Sequence, residues 1–344
     1  MDYAATTPGT ATDFGRLKDG RPVSLFHLHS GELDVAITDY GARIVSMTPA
    51  GENGRSIVLG FDNAAAYEAD NAFHGALCGR YANRVVGARY EWGGKSYKLP
   101  ANDPPHTLHG GPDGFYRKLW TVVSESPDHL TLSLRSPDGD QGFPGMMDVT
   151  IDFVLTGPAL SIEYRATTTS ATPVSFTHHP YFNLDGAPRI DNHSLLLPCE
   201  RILTDFDQYK GGEATRGLDA KPALDFRTPR RLREVFDALS PSTLDHTYGP
   251  CTDKSAVLLS PDGSCRLTVQ SDMPALQVYA GGYLGGGPNR PGGAPYRPFE
   301  GICLEPQEFP LGPEIEGYPP NFLLPGETYR RYISYTYEKT EKSP

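Results

Sequence analysis

Apolar and polar residues alternate with a period of two from one end of this chain to the other. Leu130, Leu132 and Leu134 are separated by Thr131 and Ser133. Val149, Ile151, Phe153 and Leu155 form a second run, and Leu160, Ile162 and Tyr164 a third. Leu276 and Val278 alternate with Gln277 and Tyr279, and Tyr329, Arg331, Ile333 and Tyr335 form a last run. Such a pattern places alternate side chains on opposite faces of a strand, with one face toward a core. Val257 and Leu259, then Leu267 and Val269, flank Ser260-Pro261-Asp262-Gly263, which reads as a hairpin. The 37 glycines and 32 prolines are spread along the sequence, as short strands joined by turns require.

Helical signals are few. Thr228 is placed to cap a helix with Pro229 at its first position, followed by the stripe Leu232, Val235, Phe236 and Leu239. Asp62 to Ala69 is a second short candidate. The stretch Gly281 to Pro298 reads as a loop, because strand patterns resume on both sides. The expected fold is all-β: one large antiparallel β-sandwich with a few short helices, a single domain over residues 1–344.

The formal charge of −11 argues against nucleic-acid or anionic-membrane partners, which attract basic surfaces. No apolar run is long enough to span a bilayer, and Met1 to Gly20 lacks the pattern of a signal peptide. The five cysteines, at 78, 199, 251, 265 and 303, are odd in number, widely spaced and free of Cys-x-x-Cys pairs. Buried free thiols in a reducing cytoplasm are therefore expected rather than a disulfide framework or a zinc knuckle.

Four polar segments stand out from the strand pattern. They are Gly79-Arg80-Tyr81-Ala82-Asn83-Arg84, His106-Thr107-Leu108-His109-Gly110-Gly111, His178-His179-Pro180-Tyr181-Phe182-Asn183-Leu184, and Gly301-Ile302-Cys303-Leu304-Glu305-Pro306-Gln307. Leu244-Asp245-His246 is a fifth, less distinctive one. Glu305 is a carboxylate within an apolar strand, which is costly unless it is paired or has chemical work. A glutamate and a histidine held in one cleft make an acid–base pair. Adjacent histidines on a strand point to opposite faces, so one of His178 and His179 faces such a cleft, and His179 is chosen. The same alternation argues against a metal half-site built from both. Gly285-Gly286-Gly287 lacks the lysine and helix start of a phosphate loop.

In order and register, these segments resemble the aldose 1-epimerase (galactose mutarotase) family from about Gly79 to Tyr335. The ending Leu324-Pro325-Gly326-Glu327-Thr328-Tyr329 is also similar. The resemblance implies a galactose mutarotase-like β-supersandwich with an open sugar cleft and interconversion of the α and β anomers of a free aldose. It puts Glu305 at the general-base position and His179 at the general-acid position. His109, Arg84 and Asp245 take sugar-contacting positions, with Asn83 a neighbouring contact. No cofactor or metal is implied. The partner is a small aldose, and neither the preferred sugar nor the oligomeric state is fixed.

Free Glu and His titrate near 4.3 and 6.5, so such a site is expected to keep His179 protonated by means of the nearby carboxylate. Tyr81, Tyr181, Phe182 and Tyr279 are candidates for apolar faces against the sugar. Glu305 as a structural ion-pair partner of Arg84, and Asp245 as a loop cap, stand as alternatives. The chain departs from the family at His178 and Pro180, and at Leu311-Gly312-Pro313-Glu314 after Phe309-Pro310. Two other functions fit the same scaffold: a carbohydrate-binding protein without catalysis, and an epimerase of a hexose 6-phosphate using Arg290 and Arg297.

Overall fold

A computed structural model describes residues 11–203, 215–239, 244–251, 255–312 and 318–340. The longest alternating runs join one nine-stranded antiparallel sheet. Its order is Thr121–Ser126, His129–Ser136, Met147–Thr156, Ala159–Thr168, Tyr329–Lys339, Cys265–Ser271, Ser255–Leu259, Ser194–Leu196 and Arg230–Arg231. The last strand of the sequence lies mid-sheet, between Ala159–Thr168 and Cys265–Ser271. The core face carries the apolar set of each run, including Leu132, Ile151, Phe153, Ile162, Ile333 and Leu267, all fully buried.

A five-stranded sheet packs into the same core. Its order is Thr215–Gly217, Arg201–Leu203, Asp245–Tyr248, Ala275–Tyr279 and Cys303–Gln307. Val278 and Leu304 point into the same core cluster as the large sheet. Strands Thr12–Arg16, Pro22–His29, Leu33–Thr38 and Arg43–Pro49 make a four-stranded antiparallel sheet.

Two sequence expectations change. The helix after Thr228 starts later, at Leu232, and ends at Ala238. Arg230–Arg231 instead pair with Ser194 and Leu195, so the sheet edge claims the residues that a Thr228 cap would have placed in the first turn. The other helix spans Ala64–Ala69, with Asn63 Oδ1 accepting from the Ala66 N–H. The cysteine reading is also corrected in part. Cys199 and Cys251 face each other across a bridge, with Cα atoms 4.5 Å apart, and form a disulfide. Spacing along the chain carried no sign of it, because the fold brings together residues 52 apart. Cys78, Cys265 and Cys303 are free and buried, as expected. Among the described residues, no helix is long and apolar enough to cross a membrane.

Candidate active site

The five-stranded sheet sets out the cleft floor by register. Thr247, Gln277 and Glu305 lie side by side on neighbouring strands, and Asp245, Tyr279 and Cys303 form the next row. Period-two alternation turns both rows to the face opposite Val278 and Leu304. Over this floor lies a cavity of about 390 Å³ whose lining includes Asn83, Arg84, His109, His179, Asp245 and Glu305. All six residues singled out from the sequence therefore meet in one cleft.

Each wall residue is held from behind. Asn83 and His109 both adopt left-handed backbone, φ 60° and 51°. The Asn83 N–H donates to His109 Nδ1 at 3.2 Å, and the His109 N–H donates to the Asn83 carbonyl at 2.9 Å. Gly110 follows at φ 87°, where a Cβ would come within 1.9 Å of the Gly79 carbonyl oxygen. Only glycine fits there, which explains the His-Gly sequence physically. Arg84 donates from Nε to Asp103 at 2.7 Å while lining the cleft.

His179 leaves the short strand Thr177–His178. Its N–H donates to the Ala76 carbonyl and its own carbonyl accepts from the Gly75 N–H, each at 3.0 Å. Its ring Nε2 stands 3.7 Å from Glu305 Oε1, and its Nδ1 lies 3.3 Å from Cys303 Sγ. His178 turns the other way into the core. There its Nδ1 accepts from the Tyr164 hydroxyl at 2.7 Å, and its Nε2 donates to the Ala42 carbonyl at 2.9 Å.

Burial governs the charges. Glu305 and His179 are 1% and 4% exposed. Removal from water, reinforced by Asp245 and opposed by Arg84, pushes the Glu305 carboxyl well above its ordinary range. Burial lowers His179 to about 3 and His109 well below its ordinary value. Asp245 is raised, chiefly by burial, with Arg84 opposing. Burial thus runs against the expectation of a protonated His179. Desolvation penalises both charges, and a carboxylate at 3.7 Å does not offset it. Burial therefore favours the arrangement with a neutral imidazole and the pair's proton on Glu305.

His109, His179 and Glu305 bring ligand-type atoms within 4.8 Å of one another. His109 nevertheless makes a poor metal ligand. Its Nδ1 accepts a backbone N–H, so its Nε2 carries the ring proton and is a donor. The arrangement suits hydroxyl groups: fixed donors at His109 and Arg84, an acceptor at Asp245, and one mobile proton between Glu305 and His179.

A profile of the family described as Aldose 1-epimerase matches residues 24–336. The chain belongs to the aldose 1-epimerase family. It is 35% identical over 337 residues to the aldose 1-epimerase of Escherichia coli K12, covering 93% of this chain and 96% of that protein. It is 34% identical to the galactose mutarotase of Bos taurus, with the same coverage. In three dimensions it is similar to an aldose epimerase homologue from C. elegans, with TM-score 0.84, 27% identity, and coverage of 93% of this chain and 100% of that one.

The aldose 1-epimerase resemblance read from the sequence begins near Gly79. The matched span reaches back to residue 24 and takes in most of the four-stranded sheet. Six cleft residues of this epimerase-family chain escaped that reading: Asn71, Ala72, Phe73, Asp103, Gln277 and Tyr283. Gln277 Oε1 accepts from Asn83 Nδ2 at 3.0 Å and from the Thr247 hydroxyl, while its Nε2 donates to Asp245. It ties three separate segments together directly beside Glu305. Its sequence signal was its polar position within the alternating run 276–279. Phe73, at φ 59°, sets its ring 4.7 Å from that of His109 and 5.8 Å from that of His179. Asn71 and Tyr283 complete this wall and mouth. Nothing in the local sequence marks these three.

Tyr181 and Tyr279 line the cleft as expected. Tyr81 and Phe182 do not. The Tyr81 hydroxyl donates to the Phe309 carbonyl, and Phe182 packs on Tyr335 in the core. Arg290 pairs with the buried Glu300 at 2.9 Å, and neither it nor Arg297 lines the cleft. Leu311 pairs with Val85, whereas Pro313 and Glu314 of the atypical loop lie outside the described residues.

Proposed function

We propose that the protein is an aldose 1-epimerase that interconverts the α and β anomers of free aldohexoses of the galactose and glucose type, with Glu305 as base and His179 as acid. The carrying observation is the approach of His179 Nε2 to Glu305 Oε1, 3.7 Å apart and both buried, in a hydroxyl-matched cleft. That gap is too long for a direct hydrogen bond and leaves both atoms available to substrate. The names of the relatives in Escherichia coli and Bos taurus support the same reading.

The pair carries one proton in each of two arrangements. With the proton on His179, carboxylate faces imidazolium. Glu305 then removes the proton from the C1 hydroxyl while His179 protonates the ring oxygen, and the C1–O5 bond breaks to give the open-chain aldehyde. This step leaves a neutral Glu305 and a neutral imidazole, the arrangement that burial favours. Rotation about C1–C2 presents the other face of the carbonyl. On reclosure O5 attacks C1, His179 takes back the O5 proton, and Glu305 protonates the carbonyl oxygen, which becomes the new C1 hydroxyl. Electrons and protons balance within sugar and pair. His109 and Arg84 donate to oxygen as negative charge develops on it, and Asp245 accepts from sugar hydroxyls.

Each of the two groups supplies about 10²–10⁴-fold by proton transfer. Glu305→Gln and His179→Ala are expected to lose rates of that order while retaining the fold. Near-normal turnover in either purified variant would refute the assignment. The pairing of Arg290 with Glu300 weighs against a phosphate site, so hexose 6-phosphates are expected to turn over more slowly than free hexoses.

A further inference from the structure

His179 and His109 are held in different ways, and the difference lies at Nδ1. His109 Nδ1 accepts a backbone N–H, which leaves Nε2 a permanent donor. A histidine that releases and recovers a proton through Nε2 must instead keep its other proton on Nδ1 throughout. Nδ1 of His179 therefore needs an acceptor. Among the described residues, the partner present is Cys303 Sγ at 3.3 Å. Cys303 lies two residues before Glu305 on one strand, so both side chains turn to the same face and grip opposite nitrogens of one ring.

We propose that Cys303 is a positioning residue: its sulfur accepts the Nδ1 proton of His179, fixing the tautomer whose Nε2 is free to shuttle a proton between Glu305 and the sugar. The proposal rests on the acid–base reading above. A carboxylate at this position would trap the imidazolium. Sulfur is a weak acceptor, so it orients the ring without holding the charge in place. Burial pushes the thiol well above its ordinary value, which keeps it neutral. Glu305 faces Nε2, while His109, Tyr181 and Tyr279 border the ring. Behind it, the charges of Asp70 and Arg43 act in opposite directions on the imidazole, and His74 acts with Arg43. The histidine's own backbone carbonyl also acts on the ring and favours its protonated form, while none of these other side chains supplies Nδ1 with an acceptor. No bond to sulfur forms or breaks.

The test combines ¹⁵N NMR of the histidine rings in the full chain with polarimetric kinetics of Cys303→Ser and Cys303→Ala. In the unaltered protein near neutral pH, His179 is expected to carry its proton on Nδ1 and His109 on Nε2. Cys303→Ser keeps an acceptor and should preserve the tautomer, with kcat within about threefold. Cys303→Ala should mix the tautomers and lower kcat about tenfold, with KM within about twofold. A proton on Nε2 of His179 in the unaltered protein overturns the proposal. So does Cys303→Ala with unchanged tautomer and kcat. Should Cys303→Ala not fold, the spectrum of the unaltered protein and the serine variant still decide. Absence of any sugar turnover would strike the epimerase reading alone, since the tautomer is read without substrate.

Discussion

At the scale of single residues, the site turns on where one proton sits. Burial places it on Glu305, with His179 lowered to about 3. In the proposed mechanism the active form holds one proton on the pair, so a second proton or the loss of the first stops the reaction. A bell-shaped kcat/KM profile follows, with apparent values that belong to the pair. The acid limb should fall near or below pH 4, where His179 takes a second proton. The alkaline limb should lie above the ordinary carboxylate range, where Glu305 loses the only one. Initial rates by polarimetry across pH would check this. An acid limb near the ordinary histidine value of about 6.5 would contradict it. Gln277 offers a second prediction. Gln277→Ala frees Asp245, Asn83 and Thr247 from one shared partner, so KM should rise more than kcat falls. Equal loss in kcat with unchanged KM would show that the network serves the chemical step instead.

Residue identities in the cleft were legible where chemistry is unusual for its surroundings. A carboxylate in an apolar strand marks Glu305, and strand alternation separates His179 from His178. The charge state was not legible, because it depends on how far both groups are removed from water. Aromatic positions were legible only in part. Phe182 and Tyr181 are neighbours in sequence, and one faces the core while the other faces the cleft.

At the scale of elements, the short strand Thr177–His178 anchors the exit to His179. The buried ring of His178 satisfies both the Tyr164 hydroxyl and the Ala42 carbonyl. His178→Ala leaves a cavity and two unpaired polar groups, and should cost about 2–4 kcal/mol in urea unfolding. His178 also has a pH signature. Burial lowers it to about 4, whereas the unfolded chain takes a proton near 6.5. Its contribution is complete above about pH 6.5 and is lost as pH falls toward 4, roughly 3 kcal/mol in all. His178→Asn should therefore lose less stability than the unaltered protein between those values. Equal slopes of unfolding free energy with pH in the two proteins would rule this out.

The strands themselves were legible because period two is a local signal. Their order was not: Arg230–Arg231 became a sheet edge through pairing with Ser194–Leu195, more than 30 residues earlier in sequence order. The Cys199–Cys251 pair was hidden for the same reason.

At the scale of the whole molecule, one sheet supplies most of the core and the other supplies the floor of the site. The central position of Tyr329–Lys339 in the nine-stranded sheet ties the end of the sequence to strands from two earlier regions. The cleft then draws on distant segments around residues 72, 83, 109, 179, 245 and 279 against Glu305. In the proposed mechanism, rigid support from both sheets lets the pair keep its spacing while the sugar ring opens and closes.

The central claim is that this pair accelerates anomer exchange. The most direct measurement follows freshly dissolved α-D-glucose and α-D-galactose by polarimetry, with and without the purified protein. The account predicts a faster approach to the same final rotation for at least one sugar, with the acceleration lost in Glu305→Gln. Unchanged rates for both sugars with folded protein, or acceleration that survives Glu305→Gln, would contradict it.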